Sequence, residues 1–456
     1  MERLKFLRGD KTIWAMICLL AIASFLPVYS ASTNLVYTIG KGSTLGYLFK
    51  HFVHLGIGLF IAWFVHKMHY EKFKKFAVLG MPLVIALLVY TLTQGKTIGG
   101  ANASRWIEIP FIGMSFQTST FAFIVLMVYV ARTLAKLKDT DYTFQESLIK
   151  LWLPVGAVLI FILPTNFSTT ALIFAMVCML VFVGHYPLKY LGYIFAMAIA
   201  GLMLFFLLAK AFPGNKLFSR VNTWVSRVEN FTTDKPGEDD YQIEKSKIAI
   251  ASGKIYGLGP GKSVQKNFLP QSSSDFIYAI IVEEYGLLGG FGLIFIYLIL
   301  FFRFLIRSNK APSLFGRLLI VGLGFPIIFQ AFINMGVAVE LLPVTGQPLP
   351  LISSGGTSIW MTCLSLGIIL SVTKKDDEIA ADLKEQQQRE EALQRLIEKE
   401  VAVMNEEEFN EEANVNQQKI NDMKYSIRES LKEEINTEGD SLVNGQNPMN
   451  AVLNKK

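Results

Sequence analysis

The sequence predicts an all-α integral membrane protein with about ten transmembrane helices and a large extracytoplasmic loop between the seventh and eighth. Three observations carry this. Of 456 residues, 52% are hydrophobic and only 18% charged, against about 25% charged in soluble domains. The apolar residues gather in blocks of about 20, the length a helix needs to cross the hydrocarbon core, and lack the alternation of lipid-facing barrel strands. Lys and Arg follow every second block, as the retention of positive loops on the cytoplasmic side requires.

In chain order, Arg3, Lys5 and Arg8 precede the first block, and no small-residue cleavage site follows it, so it reads as a retained span rather than a signal peptide. The blocks lie near 12–29, 45–66, 75–93, 115–134, 149–164, 168–184, 188–210, 276–302, 314–337 and 351–372. Lys67, Lys72, Lys74 and Lys75 follow the second; Arg132, Lys136 and Lys138 the fourth; Lys189 the sixth; Arg303, Arg307 and Lys310 the eighth; Lys374 and Lys375 the tenth. An even number of spans with both termini in the cytoplasm fits this alternation. The expected organisation is a cytoplasmic N-terminus (1–11), a polytopic membrane domain (12–373) and a charged tail (374–456). The tail holds twelve Lys and Arg against twenty Asp and Glu, a net charge of −8, so the rest carries +14 of an overall +6. That basic surplus suits anionic lipid or phosphate partners at a membrane, not nucleic acid. Leu383, Leu393, Leu396, Ile397, Val401 and Met404 give the tail a short amphipathic face, too brief for a coiled coil, in an otherwise disordered composition.

The long loop, about 211–274, contains Ile248 to Gly261, too short and Gly-rich to span but apolar enough to lie at the interface or re-enter against protein. Arg220, Arg227, Lys254, Lys262 and Lys266 around it suit a diphosphate, or a hydrated rim near head groups. The loop ends in NFLPQSSSDFIYAIIVEEYG, Asn267 to Gly286. Pro270 ends what precedes it, and Ser272, Ser273 and Ser274 offer an N-cap before Phe276, which would place Asp275 in the first turn of a membrane helix, beside its positive dipole end. Spacing alone leaves Asp275 either a helix-terminal residue or a functional carboxylate. Glu283 and Glu284, about two turns deeper, demand a partner or a transport role. Cys18, Cys178 and Cys363 lack metal spacing, and His51 with His54, like His66 with His69, have no neighbouring Cys or carboxylate ligands.

Several segments together resemble the SEDS (FtsW/RodA) family of shape, elongation, division and sporulation proteins, from about Lys11 to Thr373, and its cell-division branch more than its elongation branch. They are Gly99 to Ile107 (GGANASRWI), Gln117, Ala249 to Lys266 (AIASGKIYGLGPGKSVQK), Phe268 to Phe276 (FLPQSSSDF), Glu283, Glu284, Gly286, Gln330, Asn334 to Val337 (NMGV) and Pro343 to Ser358 (PVTGQPLPLISSGGTS). The chain departs from the family at Thr120 and Phe123, where QPSExxK has Glu and Lys, at Asn166, where PDxGT has Asp, and at Ser354, where Tyr is common.

Members of this family polymerise peptidoglycan glycan strands from lipid II beside a class B penicillin-binding protein that crosslinks them. The resemblance implies a peptidoglycan glycosyltransferase in the bacterial cytoplasmic (inner) membrane, at the division septum. Its implied partners are lipid II, the undecaprenyl-diphosphate-linked glycan, a class B penicillin-binding transpeptidase and other divisome membrane proteins. By its place in LPxxxxDF, Asp275 is implied as the catalytic base, acting in an inverting transfer. Arg105, Lys262, Gln265, Lys266, Ser353, Gly355 and Gly356 are implied to face substrate. A diphosphate admits a divalent cation, Mg or Mn, whose ligands the sequence does not identify. A lipid II flippase, an elongation-type polymerase and a divisome scaffold are the alternatives; no repeated halves with paired broken segments support a transporter.

Overall fold

The computed structural model describes residues 7–39, 43–94, 106–108, 115–138, 141–212, 221, 223–225, 238–269, 271–374, 387–399 and 421–429. Arg105, Arg220, Arg227 and Pro270 lie outside these residues. The chain divides into two compact units, Met1–Thr373 and Lys374–Lys456. In the second, the described residues are helical at 387–399 and 421–429, with Leu393 and Leu396 exposed.

The first unit contains the helices α1 (Lys11–Ile39), α2 (Thr44–Lys67), α3 (Phe73–Gln94), α4 (Thr118–Leu137), α5 (Phe144–Ile162), α6 (Phe167–Val183), α7 (Leu188–Ala211), α8 (Glu238–Gly253), α9 (Ile277–Asn309), α10 (Leu314–Ala338) and α11 (Gly356–Val372). Among the described residues eight helices are long and apolar enough to cross a membrane; α6 and α11, with 17 residues each, are shorter apolar helices. Together they correspond to the ten expected apolar blocks, and the chain is an all-helical membrane protein. A short antiparallel pair, β1 (Trp106–Glu108) and β2 (Ser115–Gln117), was not foreseen; it sets Trp106 opposite Gln117 just before α4.

Local chemistry explains several boundaries. Ser43 and Ser313 cap α2 and α10, each accepting from the amide three residues on. Asn166 caps α6 by accepting from Thr169 N at 3.2 Å, so this departure from the family's Asp keeps an N-cap acceptor. In α5 the turn Leu148–Trp152 widens to a π-turn just ahead of Pro154, whose missing N–H leaves the carbonyl four residues earlier without its helical donor. Tyr129 OH supplies one, bonding Lys150 O at 2.8 Å.

α11 packs along α2 through small residues. A Cβ on Gly58 would press on Cys363 Sγ at 2.9 Å, and one on Gly367 would meet the Ala62 backbone at 3.0 Å. Between helices that share an apolar solvent, close packing of this kind replaces the hydrophobic drive. α10 is the most enclosed of the long spans.

One end of the bundle is fastened by Asp10. Its side chain is fully buried: Oδ1 caps α1 by accepting from Thr12 N (2.8 Å) and Ile13 N (3.1 Å), and Oδ2 accepts from Arg303 Nε (2.8 Å) and Arg307 Nε, near the end of α9. Its amide donates to Thr373 Oγ1 at 3.0 Å, just past α11. Burial alone would raise the Asp10 pKa, but the hydrogen bonds from the two guanidinium groups outweigh it and hold the carboxyl below its ordinary value.

Candidate active site

Asp275 lies at the other end of α9, roughly 40 Å from Arg303 at 1.5 Å rise per residue. The expected serine cap is not what starts this helix. Residues 271–276 form turns, α9 begins at Ile277, its N-cap position is Phe276, and no side chain caps it. Asp275 therefore precedes the helix instead of occupying its first turn. The backbone of this turn is instead bonded to a distant segment, which keeps it out of the helix. Ser274 Oγ donates to Gln271 O (3.3 Å), Ser273 O accepts from Ser354 N (2.8 Å), and Ser274 O accepts from Ser353 Oγ (2.5 Å).

These bonds staple the Asp275 turn to the loop between α10 and α11. Asn334 of α10, 1% exposed, donates its Nδ2 both to Asp275 O (2.7 Å) and to Gln347 O (2.8 Å). Gln330 Nε2 donates to Pro348 O (2.8 Å), Gln347 Nε2 to Thr169 Oγ1 (3.0 Å), and Tyr297 OH to Pro350 O (2.5 Å). The Asp275 carboxylate is half-buried, with Oδ2 3.5 Å from where a Cβ on Gly346 would sit. Gly346 has φ +66°, so the loop passes beside the carboxylate in a conformation that favours glycine. Beneath the turn, Leu269, Phe276, Ala279 and Ile280 pack with Ile243 and Ala249 of α8 and with Val337 and Val344.

Ser353, implied to face substrate, lies between the Asp275 turn and the loop that precedes α11. It is 1% exposed; its hydroxyl donates to Ser274 O and accepts from Leu349 N at 2.7 Å. Gly355 and Gly356 open α11, where the space a Gly356 side chain would need is filled by the His54 ring. Lys262 is exposed. Lys266 Nζ donates to Ser30 Oγ (3.1 Å) and Gly261 O (2.7 Å), engaging two of its three N–H donors.

The segment carrying these lysines sits against a break in α9. Gly286 is non-helical (φ 69°, ψ −173°), and a Cβ there would overlap Ile255 O. The freed backbone groups pair with residues 254–259: Leu258 N donates to Glu283 O (2.9 Å), Gly259 N to Glu284 O (2.9 Å), and Leu287 N to Lys254 O (2.9 Å). The apolar segment Ile248 to Gly261 is thus the end of α8 plus a strap laid on protein backbone, the condition under which irregular chain is tolerated at membrane depth. Glu283 and Glu284, both buried, accept hydrogen bonds from this strap's continuation, which is the packing role foreseen for them, with no transport path needed.

Among the described residues no three His, Cys, Asp or Glu side chains gather as a metal site. Asn334, Gln347 and Ser30 were not assigned roles from sequence. The signal for Asn334 is a pair of amides four residues apart, Gln330 and Asn334, in an apolar block; Ser30 carries none.

The family described as "Cell cycle protein" (FTSW_RODA_SPOVE) matches residues 10–378. A "Probable peptidoglycan glycosyltransferase FtsW" of Alcanivorax borkumensis is 31% identical over 383 residues, 82% of this chain and 95% of that protein. The same-named protein of Coxiella burnetii is 29% identical over 370 residues, 79% and 95%. Among solved structures, a chain from "Structural coordination of polymerization and crosslinking by a peptidoglycan synthase complex" aligns with TM-score 0.60 and 23% identity over 80% of this chain and 97% of that one. Thermus thermophilus rod shape determining protein RodA aligns with TM-score 0.56 and 23% identity over 80% and 96%. By the extent of the sequence match and by the helical fold, the chain belongs to the FtsW/RodA/SpoVE (SEDS) family of cell cycle proteins.

Proposed function

We propose that this chain is a peptidoglycan glycosyltransferase that polymerises lipid II during septal wall synthesis, with Asp275 as its general base. The names of its relatives support the activity. The observation that carries the mechanism is a half-buried carboxylate at the mouth of α9 whose main chain is fixed from α10 and from the α10–α11 loop. Asp275 takes the proton of an acceptor sugar hydroxyl as that oxygen attacks the anomeric carbon of the donor. The bond to the lipid diphosphate breaks, and the diphosphate leaves with the electron pair. One displacement at an α-linked donor gives a β linkage. A diphosphate needs no general acid when cations stabilise it; exposed Lys262, the remaining donor of Lys266, and Arg105 are the candidates.

The alternation of basic loops supports a topology with both termini in the cytoplasm and Asp275 on the outer side, where the acceptor strand would grow. A class B penicillin-binding transpeptidase as partner is supported by the likeness to a chain of a synthase complex that couples polymerization and crosslinking. Reconstitution of the purified protein with lipid II, with and without that partner, tests the proposal. Glycan polymer is the expected product; translocated lipid without polymer, or neither, contradicts it.

A further inference from the structure

We infer that Glu283 and Glu284 are positioning residues for the transfer proposed above: as built-in anions they hold the lysine-bearing loop 262–266 where Lys262 meets the lipid diphosphate. This rests on that functional reading. Both carboxylates are buried in α9, one turn before its break. Three successive amides of the loop converge on them. Ser263 N donates to Glu284 Oε1 (3.3 Å), Val264 N to Glu283 Oε1 (2.9 Å), and Gln265 N to Glu283 Oε1 (3.2 Å). Successive N–H groups aimed at one point make a concavity that binds anions, and here the protein's own carboxylates fill it. The loop's backbone is therefore already satisfied. What it offers a phosphate is its lysines.

The hydroxyls around the pair tie it to three other segments. Ser263 Oγ donates to Glu283 Oε2 and accepts from Lys266 N (3.1 Å). Ser252 Oγ, in the last turn of α8, donates to Ala249 O (2.8 Å) and lies 3.4 Å from Glu283 Oε1. Ser30 Oγ of α1 donates to Glu284 Oε1 while accepting from Lys266 Nζ. Glu284 Oε2 and Gln265 Oε1 are buried and have no hydrogen-bond partner among the described residues. The amides, the hydroxyls and the lysine thus share one anchor built of acceptor oxygens: an amide at position 283 keeps one acceptor oxygen and turns an NH2 donor toward groups that donate to this site. Loss of that acceptor frees the loop at 263–265 while the Asp275 turn stays held by Asn334 and Ser353. Donor binding should weaken and the proton transfer should persist.

The test compares wild type, Glu283→Gln, Glu283→Asp, Lys262→Gln and the Glu283→Gln/Lys262→Gln double variant, all full-length and reconstituted with the transpeptidase partner saturating. Amide exchange over 263–265 and polymer formation against lipid II concentration are read together. In Glu283→Gln, exchange over 263–265 should rise at least about tenfold, and the apparent KM should rise about tenfold with kcat within about threefold of wild type. Glu283→Asp should recover part of both, and Lys262→Gln should add little in the Glu283→Gln background. Unchanged exchange in Glu283→Gln overturns the anchor. Raised exchange with an unchanged KM, or a fall in kcat that Asp does not rescue, overturns the positioning role. Wild type that binds lipid II but makes no polymer contradicts the functional reading instead, and the exchange arm then decides the anchor by itself.

Discussion

Replacing Ser353 by alanine removes one oxygen that serves two backbone groups. Its hydroxyl donates to Ser274 O at 2.5 Å and accepts from Leu349 N at 2.7 Å, and the residue is 1% exposed, so water cannot readily substitute. Each buried group left unpaired costs about 1–3 kcal/mol, so the pair should destabilise the loop by roughly 2–6 kcal/mol. Ser274 adjoins the proposed base, and its main chain would then be held on this side only through Ser273 O and Ser354 N. A misplacement on the order of 1 Å at a reacting group can cost about 10²-fold in rate. Reconstituted Ser353→Ala should therefore show a lowered unfolding midpoint and a kcat down by about ten- to a hundredfold with a nearly unchanged KM for lipid II. A wild-type midpoint and rate would refute the stapling argument, and a raised KM at constant kcat would return Ser353 to a substrate-contact role.

Three further outcomes follow from the same geometry. Asp10→Asn should lower the unfolding free energy at neutral pH by about 3 kcal/mol, because it leaves Arg303 and Arg307 facing an uncharged group. With a folded pKa below the unfolded one, the wild-type advantage is fully present above the ordinary carboxylate range and is lost as pH falls through the depressed folded value; a difference that persists at the acid end refutes the assignment. Gly286→Ala should fail to accumulate as folded protein, since it combines positive φ with overlap on Ile255 O; a normal melting profile contradicts the break in α9. A chain stopped after Lys375 should retain polymerisation, because the tail is rich in charged residues and has little apolar surface to pack; loss of activity in the inserted truncation would favour a scaffold role.

The spans were legible because lipid dictates them: a backbone that must bond to itself needs some 20 apolar residues, and such runs stand out in any sequence. What escaped was irregular or non-local. Gly286 sits in a continuous apolar run, and only its partner strap at 254–259 explains why it leaves the helix. The serines before α9 read as a cap because local rules see only local acceptors; their actual partners are Ser353 and Ser354, 79 residues beyond Ser274 in the case of Ser353. Asp10 gave no hint of its lock on Arg303, 293 residues away. Glu283 and Glu284 announced that a carboxylate in lipid needs a partner, and the sequence left open which; the loop amides supply it. Asp275 could be singled out by its motif, but the residues that hold it, Asn334 and Ser353, come from 59 and 78 or more positions along the chain and meet it only through the packing of α9 against α10.

Lipid II polymerisation by reconstituted Asp275→Asn, with the proposed transpeptidase partner present, tests whether Asp275 removes a proton from the acceptor hydroxyl. Asparagine keeps the shape and the backbone bond to Asn334 but cannot act as a base, a role that typically contributes about 10²- to 10⁴-fold. Asp275→Asn should fold and bind the partner but make no detectable polymer, with Asp275→Glu severely impaired. Polymerisation by Asp275→Asn at near wild-type rate would contradict the general-base role.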